Sequence, residues 1–328
     1  MTAVSEAVTP SAMRTREATV RRFALTDTIF RTATRLSAIL VLVLLGGVAI
    51  SLIAGSWEAL SKFGFSFLTT ESWNPVTENF GALAPIYGTI VTSAIAILIA
   101  VPIGIGIAIF LTELCPRPLR RPIGIAVELL AGIPSIIYGI WGLFVFAPFL
   151  QTTIQPFIIN VFHGIPGLSS LFAGPPYGIG LLTSSLILAI MVLPFITSIT
   201  KDVFDTVPAV LKESAYGIGC TTWEVTRRVT IPYTRVGIMG GVMLGLGRAL
   251  GETMAVTFVI GNAHRISASL FAPGTTISAT IANEFTEADG DLYTSSLVSL
   301  GLILFIITFI ILALARYMLL RIDSRTGA

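Results

Sequence analysis

Six long stretches of this chain are apolar almost without interruption, and shorter polar segments separate them. They fall near residues 36–55, 84–111, 123–150, 177–200, 236–260 and 295–320. A membrane-spanning helix needs about 20 predominantly apolar residues. The alternating pattern of a membrane β-barrel is missing. The pattern therefore predicts an all-α integral membrane protein with six transmembrane helices. The second stretch holds Pro102, Gly104 and Gly106, Pro134 interrupts the third, Pro194 lies in the fourth, and the fifth is rich in glycine. The segment 154–172 is apolar too, but two prolines, two glycines, Asn160 and His163 break it. It is expected to be a loop with a short interfacial helix.

Composition narrows the class. Of the 328 residues 54% are hydrophobic and only 12% charged, about half the charged share of a soluble domain. So few charges cannot clothe a water-facing surface, which excludes an ordinary cytoplasmic enzyme, a nucleic-acid binder and a disordered chain. Cys115 and Cys220 are too few for a disulfide framework. The net charge of +2 is uninformative, but its placement is not. Residues 1–35 carry Arg14, Arg16, Arg21, Arg22, Arg31 and Arg35. That is long for the start of a signal peptide, so the segment reads as a cytoplasmic tail before an uncleaved first helix. With the N-terminus inside, the cytoplasmic segments hold 17 basic residues and the outer loops only Lys62 and Arg265. This bias puts both termini in the cytoplasm, with 321–328 as the C-terminal tail. The outer loops are acidic, with Glu58, Glu71, Glu78, Glu284, Glu287, Asp289 and Asp291.

One cytoplasmic loop, residues 201–235, is long. Pro208 suits the first turn of a helix. Leu211 to Tyr216 forms helix readily, Gly217 and Gly219 allow a sharp turn, and Thr222 to Val229 is again helical. Pro232 restricts Ile231 and is expected to end that second helix. Small residues at Ser214 and Ala215 leave room for a partner surface. The loop is either a solvated linker or a docking element for a cytoplasmic partner.

The fifth span contains Arg248 and Glu252 in GLGRALGETMAV. A charge at the centre of a span costs roughly 2.5–3.5 kcal/mol on insertion scales and is by default a functional hypothesis. Their four-residue spacing puts both on one helix face, where they can pair. The pair either locks helix packing or places Arg248 on a pathway for an anion. A guanidinium offers a fixed fork of donors and permanent charge to an oxyanion. Glu252 would then hold it in place. Gly237, Gly241 and Gly245, four residues apart, suit close helix packing. Glu128 opens ELLAGIPSIIYGIWGL near the cytoplasmic end of the third span. His163 and His264 lie in different outer loops with no ligand-spaced partner and read as ordinary loop residues. No cofactor or metal is expected, and the chain has no G-x-x-x-x-G-K-[ST] phosphate loop of its own.

The long loop resembles the EAA loop of bacterial ABC importer permeases: Glu-Ala-Ala, three residues, Gly, nine residues, then Ile-x-Leu-Pro. Glu213, Ser214 and Ala215, then Gly219, then Val229, Thr230, Ile231 and Pro232 match its spacing throughout. The departures, Ser214, Val229 and Ile231, are conservative in size. ELLAGIPS, GRALGE and the fourth-span ending MVLPFITSITKDVF further resemble the phosphate-specific branch, in particular its PstC-type subunits, over about residues 36–320. The resemblance implies a type I ABC importer permease of the bacterial inner membrane, without an ATP site of its own. It implies a second, PstA-type permease subunit, a PstB-type ATPase dimer on the EAA loop, and a PstS-type phosphate-binding protein outside. It also implies a transport role for Arg248 and Glu252. Arg248 alone does not choose among oxyanions, so molybdate, sulfate and phosphonate stay open as cargo. A membrane-embedded lipid-processing enzyme is the alternative from another class, and no catalytic grouping supports it.

Overall fold

The computed structural model describes residues 10–162 and 164–324, side chains included except those of 10–25, 168 and 322–324. His163, Arg325 and the side chains of Arg14, Arg16, Arg21 and Arg22 lie outside that description. The chain divides into two compact units, Met1–Ala54 and Gly55–Ala328.

The first unit consists of helix α1 (Pro10–Gly55). The tail expected over residues 1–35 is therefore helical from Pro10 and continuous with the first span. Neither glycine nor proline occurs between residues 11 and 45, and the good helix formers Ala, Arg and Leu recur there. Around the start of the apolar part, three polar side chains bond to their own helix. The hydroxyls of Thr32, Thr34 and Ser37 donate to the carbonyls of Thr28, Phe30 and Ala33 at 2.8, 2.6 and 3.0 Å. That is what a helix without access to water requires.

The second unit opens with α2 (Trp57–Phe63), α3 (Ser66–Thr69) and a small antiparallel pair, β1 (Trp73–Asn74) and β2 (Asn79–Phe80). Helix α4 (Leu83–Ile109) follows, then α5 (Arg117–Ala131), α6 (Ser135–Phe162) and α7 (Leu181–Asp205). The next elements are α8 (Ala209–Gly217), α9 (Thr222–Val225), α10 (Ile231–Leu250) and α11 (Met254–Ile260). Helices α12 (Ile277–Glu284) and α13 (Asp291–Ser324) close the chain. Among the described residues six helical runs are long and apolar enough to span a membrane. They are Thr26–Gly55, Leu83–Leu114, Ser135–Phe162, Leu181–Asp205, Thr222–Leu250 and Asp291–Arg321.

Helix α7 is the axis of the core. Ile187, Leu188, Met191, Val192 and Ile196 are fully buried, against Ala96 and Ala100 of α4 and Val256, Val259 and Ile260 of α11. The glycine stripe of α10 lies directly on α7. A Cβ at Gly237 would stand 2.4 Å from Val203, and one at Gly245 2.9 Å from Ile196. Gly241 meets Ile199 in the same way. The stripe is thus a packing device.

Four π-helical turns among the described residues each lie two residues ahead of a proline. Phe110–Leu114 precedes Pro116, Gly142–Phe146 precedes Pro148, Leu150–Ile154 precedes Pro156, and Thr226–Thr230 precedes Pro232. A proline lacks an N–H and clashes with the carbonyl four residues back. Widening the preceding turn moves that carbonyl aside. At Pro116 the helix ends, but through the other three it continues. Two expectations differ for this reason. The third span is the run Ser135–Phe162 rather than 123–150, and much of the supposed loop 154–172 belongs to it. The segment before Pro134 is instead the separate helix α5, whose Arg120 and Glu128 pair with Asp205 and Lys201 of α7 at 2.9 Å each. Pro232 likewise does not end the second loop helix, and α9 runs through its π turn into α10.

At the acidic end of this unit one carboxylate ties four elements together. Glu284 accepts hydrogen bonds from the indole N–H of Trp73, from the hydroxyl of Tyr293 at 2.8 Å and from Nε2 of His264 at 2.7 Å. The Trp73 and His264 rings stack 5.3 Å apart, and Phe80 stacks on Tyr293 at 5.0 Å. His264 is therefore a built part of the structure rather than an ordinary loop residue. Burial alone would raise the Glu284 pKa, but the hydrogen bonds from His264 and Tyr293 outweigh it and hold the carboxyl below its usual value of 4.5. A depressed carboxyl stabilises the fold above its ordinary pKa, and that contribution is lost as pH falls through the folded value. Glu284→Gln is expected to lower stability at neutral pH by about 1–3 kcal/mol. It should also flatten the acid limb of the thermal midpoint, followed in detergent from about pH 7 to about pH 4. An unchanged acid limb would contradict this.

Candidate functional site

The sequence-predicted residues separate into two places. Arg248 lies in the last turn of α10, where the helix dipole favours a cation. Its guanidinium carbon stands 4.4 Å from the centre of the Phe195 ring of α7, a cation–π distance. Its Nε is buried and has no hydrogen-bond partner. The side chain reaches an open groove of about 710 Å³ between α10 and α13, lined also by Met243, Leu244, Leu312 and Arg316. The lining is otherwise glycine and apolar apart from Thr308.

Glu252 does not pair with Arg248. The helix stops at Leu250, and Gly251, Glu252 and Thr253 form a break before α11. The four-residue spacing therefore does not place the two side chains on one helix face. Glu252 instead accepts a hydrogen bond from the backbone N–H of Ala255, at 3.3 Å, and secures the first turn of α11. Among the described residues no carboxylate lies within ion-pair distance of Arg248. Sequence spacing cannot reveal such a break. The signal that was available is Gly251, with Thr253, a residue of modest helix preference, two positions on.

The loop residues come together at the basic end of the unit. Glu213, Ser214 and Ala215 lie on α8, where the Ser214 hydroxyl bonds back to the Val210 carbonyl at 2.7 Å. Gly219 has a φ of +91°, the left-handed conformation that turns the chain between α8 and α9. Thr221 and Glu224 then form a reciprocal capping box that starts α9. Pro232 is exposed and Ile231 half-buried at the start of α10. Two residues that the motif does not contain dominate the exposed surface here: Ile218 is 85% exposed and Trp223 62%. Their clue in the sequence was large apolar side chains in an otherwise polar loop. Lys212, just before the motif, pairs with Glu113 at the end of α4.

Residues 100–324 match the family described as binding-protein-dependent transport system inner membrane component. A phosphate transport system permease protein PstC of Mesorhizobium japonicum is 85% identical over 328 residues, all of both chains. The PstC of Pasteurella multocida is 58% identical over 92% of this chain and 94% of its own. A probable PstC of Methanocaldococcus jannaschii is 41% identical over 80% and 84%. Among solved structures, a membrane chain of a bacterial alginate ABC transporter, in complex with its periplasmic protein, superposes with a TM-score of 0.58. It covers 93% of this chain and 97% of its own at 18% identity, which shows the fold alone.

The geometry makes a distinction that double-mutant cycles can measure. Arg248→Gln combined with Phe195→Leu is expected to show a coupling of about 0.5–2 kcal/mol. Arg248→Gln combined with Glu252→Gln should add within about 0.5 kcal/mol. Reversible unfolding in mixed micelles provides the readout, and a strong Arg248–Glu252 coupling would contradict the broken helix.

Proposed function

The chain belongs to the binding-protein-dependent transport system inner membrane components, and we propose the following for how it carries its cargo. It is a multi-pass inner-membrane permease subunit of an ABC importer for inorganic phosphate. It supplies six helices and one half of a translocation pathway. A PstA-type subunit supplies the other half, a PstB-type ATPase pair hydrolyses ATP on the cytoplasmic side, and a PstS-type protein delivers phosphate outside. The basic loops and both termini are assigned to the cytoplasm, the side that the 17 to 2 charge bias of the sequence favours. Glu213, Ser214, Ala215 and Gly219, with Ile218 and Trp223 beside them, dock into the ATPase. ATP-driven closure then moves α8 and α9. Because α9 continues through a π turn into α10, that motion reaches Arg248 along one helical rod.

The observation that carries the site assignment is the state of Arg248: permanently charged, lodged at a helix break on a groove, and without a carboxylate. A guanidinium held this way can meet a passing oxyanion and release it, since among the described residues no carboxylate neutralises it first. Glu252 contributes by fixing the break that ends α10 beneath Arg248. Its proposed hold on the arginine is replaced by Phe195.

Uptake of radiolabelled phosphate at low external concentration tests this assignment. A strain lacking the chain should take up phosphate when the native chain is restored. Arg248→Gln at equal membrane level should lower uptake by more than about tenfold, the factor that ~1.4 kcal/mol supplies. Normal uptake by Arg248→Gln would make the arginine structural. Restoration of molybdate, sulfate or phosphonate uptake instead of phosphate would overturn the cargo.

A further inference from the structure

Among the described residues, the ion pairs Arg120–Asp205, Lys201–Glu128 and Lys212–Glu113 join helices at the basic end of the second unit, and the last differs from the others. Arg120–Asp205 and Lys201–Glu128 keep their carboxylates about half exposed, at 49% each. The pair Lys212–Glu113 is closer, 2.7 Å between Nζ and Oε1, and the Glu113 side chain is only 7% exposed. A carboxylate shielded from water depends on its partner far more than a surface one does. The positions of the two residues matter as much as their contact. Lys212 lies on α8, adjacent to Glu213 of the coupling motif. Glu113 lies in the π turn Phe110–Leu114 at the end of α4. Helix α4 in turn lies tightly against α7: a Cβ at Gly104 would meet Ile196 at 3.1 Å and the Thr197 hydroxyl at 3.3 Å. Residue 195 of α7 is the phenylalanine whose ring covers Arg248.

We propose that Lys212 and Glu113 form a strut that forces α4, and through it α7, to move with the coupling helix, so that docked-ATPase motion reaches Arg248 from two sides. One route is the continuous rod α9–α10. The other runs from α8 across the pair to α4 and from there to α7 and Phe195. With both in place, the cation and the ring beneath it shift together. Without the strut, α8 can follow the ATPase while α4 stays behind. Both residues are positioning residues, since neither lies at the groove that holds Arg248. The inference rests on the importer assignment above, and its test separates the two.

The test uses the complete importer, with both permease subunits, the ATPase and the binding protein, reconstituted in proteoliposomes. Uptake of inorganic phosphate and ATP hydrolysis are measured on the same vesicles. Glu113→Gln and Lys212→Met are compared with the charge exchange E113K/K212E at equal ATPase co-purification. Each single variant is expected to keep ATP hydrolysis and lose phosphate moved per ATP by about tenfold, within the usual range of coupling between sites. The exchange should restore that ratio to at least about half of native. A merely structural role would lower assembly and leave the ratio of assembled complexes unchanged. Single variants with a native ratio, variants that no longer bind the ATPase, or an exchange no better than the singles would each overturn the strut. A native complex that moves no phosphate would instead overturn the importer assignment itself.

Discussion

Inside a bilayer no water stands ready for an unpaired N–H or C=O, and each such group costs several kcal/mol. The second unit solves this problem repeatedly in a sequence rich in proline. A proline within a span removes one donor and pushes away one carbonyl. In four places the chain widens the turn ahead of the proline to a π turn and, in three of them, keeps the helix going. Several buried hydroxyls, those of Thr89, Ser184, Ser185 and Thr234 among them, bond back to their own helices. The helix is allowed to break between α10 and α11, beside the groove that holds Arg248. Irregular backbone at membrane depth is tolerated where it lines a cavity or is buried in protein. The location of the break and the location of the partly buried cation therefore support one another.

The same constraint explains what could be read from the residues alone. Long apolar runs identify the spans because a helix that crosses a bilayer must be predominantly apolar, and the loop motif is recognised by spacing, which folding does not alter. Proline defeats the reading. At Pro156 and Pro232 it is expected to stop a helix, yet the π turn that rescues it is a tertiary accommodation with no marker of its own. The third span is displaced accordingly. The Arg248–Glu252 pair fails for a related reason. A four-residue spacing implies contact only on an unbroken helix, and Gly251 ends this one. Phe195 as the partner of Arg248 was not legible, because it comes from a different span. Glu113 and Lys212 are 99 positions apart, and only the fold brings them together.

Charge along the chain has a coherent division of labour. The acidic end is stapled by Glu284, Trp73, Tyr293 and His264, which fixes the β1–β2 pair, α12 and α13 as one rigid cap. A cap of this sign repels a free anion, so it fits a cargo handed over by a binding protein rather than one collected by a steering field. The basic end holds the loop 201–235, on which Ile218 and Trp223 stand exposed. Between the ends, Arg248 offsets part of its burial cost against the Phe195 ring and keeps its donors unspent.

Whether phosphate meets Arg248 can be seen directly. The measurement is an electron cryo-microscopy structure of the assembled importer, halted during turnover by an ATPase variant that binds but does not hydrolyse ATP, in the presence of phosphate. The predicted result is phosphate density within hydrogen-bond distance of the Arg248 guanidinium, with Phe195 still beneath it and Glu252 still on the first turn of α11. Phosphate on a route that bypasses Arg248, with the guanidinium paired to a carboxylate of the second permease subunit, would contradict it.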